Sequence, residues 1–162
     1  MTDSQRDQPV DELDARLIET MAAHSRAGIL EIARLLGVAR NTVYARLERL
    51  ERRGVIIGFG PEVDPAALGF VVTGFTTIEV TQGRFSEVVA RLEAIPQVLE
   101  VHTVAGVGDL LCRVVARSNE GIMEIVELIL QIPGVDRTRT ALALAHPIRA
   151  RPLPLVRLAV GE

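Results

Sequence analysis

Residues 85–103 of this chain recur as residues 122–140. Phe85, Val88, Val89, Leu92, Ile95, Pro96, Val98 and Thr103 stand against Ile122, Ile125, Val126, Ile129, Ile132, Pro133, Val135 and Thr140, each pair 37 positions apart and alike in identity or hydrophobic class. Two copies are too few for a solenoid. Each copy reads as a strand, an amphipathic helix, and an Ile-Pro-x-Val turn leading into a second strand. The strands are expected at about 71–80, 98–104, 109–116 and 135–145, and the helices at about 84–94 and 119–130. That order, βαββαβ, is the duplicated split βαβ of ferredoxin-like domains. Two helices cover one face of such a sheet, so an apolar open face implies a partner. Val71, Val72, Phe75, Ile78, Val80, Val98, Val101 and Val104 exceed what two short helices would cover, which predicts a homodimer built on the sheet. The tail 152–160 (PLPLVRLAV) reads as one further strand.

The first third has a different period. In residues 37–54 (GVARNTVYARLERLERRG), Val43, Leu47 and Leu50 make the apolar stripe of one helix, spanning about 39–53. Residues 29–36 (ILEIARLL) form a shorter helix joined to it by Gly37-Val38. Upstream, Asp11 can cap a first helix, with Asp14 near its N-terminal dipole, and Leu13, Leu17, Ile18 and Met21 on one face. A helix pair with a tight Gly turn, backed by a third helix, is a helix-turn-helix. Its second helix carries the donors that a major groove requires, guanidinium forks for guanine and an amide for adenine. Arg40, Asn41, Tyr44 and Arg49 are the expected base readers, Arg46 and Arg52 the expected phosphate contacts, and Thr42 lies at the helix start. Residues 55–60 (VIIGFG) read as a short strand with a glycine bend, hence a wing, and Pro61, Pro65 and Gly69 mark a linker. The expected division is a disordered tail at 1–9, a winged helix-turn-helix at 10–60, a linker at 61–69 and a ferredoxin-like domain at 70–162.

Composition narrows the partners. The net charge of −3 is unevenly spread. Residues 34–53 hold six Arg against two Glu, whereas residues 1–33 hold three Arg against seven acidic residues. A local basic face, rather than net charge, marks a nucleic-acid partner, here double-stranded DNA. No apolar run reaches membrane-spanning length and no signal-like core follows Met1, so a cytoplasmic location is expected. The single Cys112 builds no disulfide framework. His24, His102 and His146 have no metal spacing, and no catalytic or phosphate-loop motif is present, so neither a metal nor a cofactor is expected.

The ordered set of motifs resembles the Lrp/AsnC, or feast/famine, family of regulators over about residues 11–146. It comprises Leu13-Asp14 with Ile18, Glu31-Ile32-Ala33, Arg46-Leu47-x-x-Leu50-Glu51-x-x-Gly54-Val55-Ile56, Ala105-Gly106-x-x-Asp109, and Pro133-Gly134-Val135 running into Thr138-Arg139-Thr140. Ala39 departs from the capping Ser usual at its position. The resemblance implies an α+β chain, a winged helix-turn-helix followed by an effector-binding and oligomerising domain. It also implies a transcriptional regulator answering to an amino acid or similar metabolite, assembled as dimers or as tetramers of dimers.

By itself the 105–109 segment needs no explanation beyond a tight turn. In the resembled family it borders an amino-acid pocket, which implies effector contacts from Gly106, Val107, Gly108 and Asp109, with Thr138 and Thr140 on the facing strand. Two alternatives share the architecture. One is a sirohaem-decarboxylase-like enzyme, for which the hairpin strands offer only His102. The other is a DNA-architectural protein without an effector.

Overall fold

A computed structural model describes residues 10–161; the tail expected to be disordered, 1–9, lies outside the described residues. The chain forms two compact units, one comprising the described residues up to Pro61 with those from Ile148 on, the other Glu62–Pro147.

The first unit holds α1 (Glu12–Ala23), α2 (Ile29–Leu36) and α3 (Arg40–Arg52). Asp11 caps α1 in a reciprocal box: its carboxylate accepts from the Asp14 amide at 2.9 Å, and the Asp14 carboxylate accepts from the Asp11 amide at 3.1 Å. Gly37, at φ 70°, ends α2 in the left-handed conformation and turns the chain into α3. Leu17, Ile32, Ala33, Leu36, Val43, Leu47 and Leu50 form the core, so all three stripes meet as their spacing requires.

Residues 55–60 form no strand. Gly54 (φ 68°) closes α3, and the amides of Val55 and Ile56 donate to the Leu50 carbonyl at 2.9 and 3.3 Å. Val55 and Ile56 then pack on the helical core as the apolar residues that follow a glycine cap. The strand expected at 55–60 is thereby corrected: Val55 and Ile56 complete a helix end, while Ile57 and Phe59 stay exposed.

The tail is likewise corrected from strand to helix, α6 (Pro154–Val160). Pro152 and Pro154 cannot donate to a ladder, whereas Pro154 suits the first turn of a helix. Arg157 ties α6 to α1 through Glu12 at 3.0 Å and through Glu19. The tail thus belongs to the first unit and not to the second, where the sequence had placed it.

The second unit contains β1 (Val72–Val80), α4 (Phe85–Glu93), β2 (Val98–Thr103), β3 (Leu110–Ala116), α5 (Asn119–Leu130) and β4 (Val135–Leu142). The sheet is antiparallel, ordered β2-β3-β1-β4. The repeat survives at hydrogen-bond level: Val98 N donates to Ile95 O at 2.9 Å, and Val135 N to Ile132 O at 3.0 Å. Ile78, Val88, Leu92, Leu110, Cys112, Val114, Ile122, Ile125, Ile129 and Ile132 fill the space between sheet and helices. Burial pushes the Cys112 thiol up to about 11, so it acts as a small core hydrophobe. At Gly74 a Cβ would stand 3.2 Å from Val114 Cγ2 and 3.3 Å from Thr140 Cγ2, so the missing side chain leaves room for those side chains of β3 and β4 to close over β1.

Val72, Val80, Val98 and Val101 join Ile78 on the helix-covered side. Most of the apolar residues that suggested a partner therefore do not mark the open face. Strand alternation and register put Thr73, Phe75, Thr77 and Glu79 of β1 there, beside Leu111, Arg113 and Val115 of β3. Its uncovered apolar part is Phe75 with half-buried Leu111, since Val115 is already buried, and it is flanked by the pairs Arg113–Glu100 at 2.6 Å and Arg139–Glu79 at 3.5 Å.

Candidate DNA-reading helix and effector hairpin

Helix α3 separates its side chains by chemistry. Val43, Leu47 and Leu50 are 1, 6 and 0% exposed, while Arg40, Asn41, Tyr44, Glu48 and Arg52 lie open to solvent and Thr42 is half-buried. Ala39 precedes the helix and supplies no side-chain cap. The free N-terminal amides of an uncapped helix are donors suited to an anion. Arg40 and Tyr44 act as one unit: the guanidinium donates to the phenol oxygen at 3.1 Å and lies 5.3 Å from the ring centroid.

Arg46 and Arg49 face elsewhere. Arg46 Nη1 binds the Asp11 carboxylate and, at 3.2 Å, Asp14 Oδ1. Arg49 Nη2 binds Asp14 Oδ2 and, at 3.3 Å, Asp11 Oδ2. Asp14 is wholly buried, so these guanidinia neutralise a charge that would be costly to leave alone. The Nε of Arg49 is buried too and meets no protein acceptor. Arg49, expected as a base reader, and Arg46, expected as a phosphate contact, are thus both paired with the acids at the start of α1. Their spacing from the apolar stripe hinted at this, because Arg46 follows Val43 by three positions and Arg49 follows Arg46 by three.

Burial pushes the Asp11 carboxyl up, but the Arg46 hydrogen bond, the Asp14 amide and the two guanidinium charges prevail and bring it down from 3.8 to about 2. A carboxyl whose pKa falls on folding stabilises the folded state above its unfolded value, and loses that contribution as pH falls through the folded one. The stability gap between wild type and Asp11→Asn should therefore be constant above pH 4 and shrink between 3.8 and about 2, as read from urea midpoints. A gap that stayed constant throughout that window would contradict the ion-pair assignment.

In the second unit the turn between β2 and β3 uses Gly106 at φ 119° and Gly108 at φ 80°. Asp109 is committed to the sheet: its amide donates to Ile78 O at 2.9 Å, and its carboxylate accepts from Val80 N at 2.7 Å. Val107 is exposed. Thr138 pairs with Ile78 across β1, so one strand separates it from the hairpin. The Thr140 hydroxyl lies 2.9 Å from that of Thr76. Thus Gly108 and Asp109 come together with β1, while Thr138 and Thr140 lie on its other side. A Cβ at Gly108 would collide with Thr77 Cγ2 and stand 3.1 Å from the Ile78 carbonyl, in a left-handed conformation. Gly108→Ala should cost ~1–3 kcal/mol in chemical denaturation, more than Gly106→Ala, whose Cβ meets open space. Equal costs would show that backbone strain alone matters there.

His102, the residue on which the enzyme alternative relied, is exposed and lies 3.4 Å from Glu100. Among the described residues no cluster of side chains could hold a metal ion, and no helix is long and apolar enough to cross a membrane.

Comparison with known proteins places these features. Residues 10–51 match the AsnC-type helix-turn-helix domain, and residues 73–153 match the Lrp/AsnC ligand binding domain. An HTH-type transcriptional regulator, FL11, of Pyrococcus horikoshii is 31% identical over 147 residues, covering 91% of this chain and 97% of the relative. The structure of Escherichia coli AsnC superimposes with a TM-score of 0.80 at 26% identity, over 90% of this chain and 99% of that one. A feast or famine regulatory protein of Mycobacterium tuberculosis, solved in complex with L-methionine, gives 0.76 at 29% identity, over 87% of this chain and 96% of that one. With a helix-turn-helix in one unit, a βαββαβ sheet in the other and matches spanning both, the chain belongs to the Lrp/AsnC family of transcriptional regulators.

Proposed function

We propose that the chain is a sequence-specific DNA-binding regulator whose assembly or DNA affinity responds to an amino acid or a similar small metabolite, working in the cytoplasm. The observation that carries the DNA reading is the segregation on α3: apolar residues inward, and Arg40, Asn41, Tyr44 and Arg52 outward on a helix-turn-helix. Arg40, Asn41 and Tyr44 read base edges, and Thr42 and Arg52 contact the backbone. Two-fold dimers then meet half-sites about one helical turn apart. The open sheet face with Phe75 and Leu111 supplies the dimer contact. The 105–109 hairpin takes the effector: amides beside two glycines suit a carboxylate, and Asp109 suits an ammonium group. The methionine complex of the M. tuberculosis relative supports an amino acid as ligand class. An effector acts only by preferring one assembly state over another.

Three measurements test this reading. In vitro selection from random duplexes should return one sequence, bound with an affinity that falls steeply with salt through counterion release. Light scattering should give a mass above the 17.6 kDa of one chain at working concentrations. Calorimetric titration with a panel of amino acids, L-methionine included, should show binding that Asp109→Asn weakens. Asn keeps an acceptor for the Val80 amide, so this variant removes the charge without uncapping β1. Recovery of a DNA sequence together with indifference to every amino acid would leave an effector-free DNA-binding protein.

A further inference from the structure

Four charged side chains tie α3 to α1 in a two-by-two arrangement. Asp11 and Asp14 stand one turn apart on α1, and Arg46 and Arg49 one turn apart on α3, with each arginine reaching both carboxylates. The same carboxylates close the capping box that starts α1. We infer that this cluster is a positioning device for DNA reading: it sets the rotation of α3 about its own axis, and thereby which side chains reach base edges, without itself touching a base. The inference rests on the DNA-reading role of α3 proposed above.

The physical argument concerns direction. Val43, Leu47 and Leu50 hold α3 against the core, but apolar contact is non-directional and tolerates small rotations. Guanidinium–carboxylate bonds are directional and planar. A helix with side chains is about 10–12 Å across, so a rotation of about 20° moves its outer surface by roughly 2 Å. Hydrogen-bond distances vary by only about 0.5 Å, so that displacement is enough to lose a base contact. Asp14 strengthens the case, because it is wholly buried and its charge is met by both arginines. Arg46 and Arg49 keep 28% and 35% of their side chains exposed, so a direct DNA contact is the rival explanation to be separated.

The test uses the full chain and two duplexes: the sequence returned by selection with wild type, and a scrambled duplex of equal composition. The readout is the ratio of the two affinities, measured well below each variant's melting temperature. Asp14→Asn keeps an acceptor for the Asp11 amide but removes the charge, and Arg49→Gln removes the fork. Each should lower the ratio about tenfold, and the double variant should fall no further than either single one, the mark of one coupled unit. Arg49→Lys keeps the charge and most of the stem, which protects folding, and should also lower the ratio because a point charge lacks the fork. If Arg49→Gln lowers the ratio while Asp14→Asn leaves it intact, Arg49 is a direct reader and the inference is overturned. Lower melting temperatures with an unchanged ratio would mean a merely structural pairing and overturn it equally. If wild type selects no sequence at all, the DNA-reading role fails first, and that failure is visible before any variant is made.

Discussion

Leu50→Ala should destabilise the helix-turn-helix unit by ~2–5 kcal/mol, a large share of what a small domain has. Leu50 is wholly buried at the centre of a core made with Leu17, Ile32, Leu36, Val43 and Leu47. Its carbonyl also accepts from both Val55 and Ile56, so the helix end depends on the same turn. Truncation removes transfer energy and leaves a cavity that three short helices cannot fully close. Leu50→Met, of similar volume, should cost less than about 1.5 kcal/mol. Hydrogen exchange read by mass spectrometry is the check. Amides of α1, α2 and α3 should lose protection in Leu50→Ala, while those of β1 and β3 keep theirs, because the sheet has its own core around Ile78, Leu92 and Ile129. Loss of protection in the sheet to the same degree would show that the two cores do not unfold separately.

The double variant Arg40→Ala, Asn41→Ala should lose ~2–6 kcal/mol of affinity for the selected duplex, from two base contacts of about 1–3 kcal/mol each. Both residues are exposed at the start of α3 and neither supports the core, so melting should shift little. Arg40 also holds the Tyr44 phenol, so its loss frees the tyrosine and affects two readers at once. Affinity for the scrambled duplex should fall much less, since base contacts specify while phosphate contacts position. Fluorescence anisotropy on both duplexes at one salt concentration measures this. Unchanged affinity for the selected duplex would remove the α3 outer face from the reading surface.

Much of the architecture was legible because local patterns and packing agree. The period-3.6 stripe of Val43, Leu47 and Leu50 is a property of the helix alone, and the core takes up that stripe. The duplicated Ile-Pro-x-Val turn carries its own hydrogen bond in each copy, so the repeated helix-to-strand passage follows from short-range chemistry. The hairpin glycines, too, were readable as a turn, and both adopt positive φ.

What the sequence left open were choices among partners. Arg46 lies about 40° around the helix from Leu50 at 100° per residue, on the border between core and solvent. A border arginine turns out to DNA or in to an acid according to what stands opposite, and only the packing of α1 puts Asp11 and Asp14 there. The apolar run Val55-Ile56-Ile57 could pair as a strand or cap a helix, and the nearby core decided for Val55 and Ile56. Val72, Val80, Val98 and Val101 alternate like any half-buried strand residues, but alternation does not say which face the helices cover. The sequence by itself determined elements, repeat and helix faces, because these depend on periodicity and turn chemistry along a few residues. Tertiary structure alone decided which arginines remain free, which sheet face is open and where the tail docks, because each depends on charges and surfaces tens of residues apart in the chain.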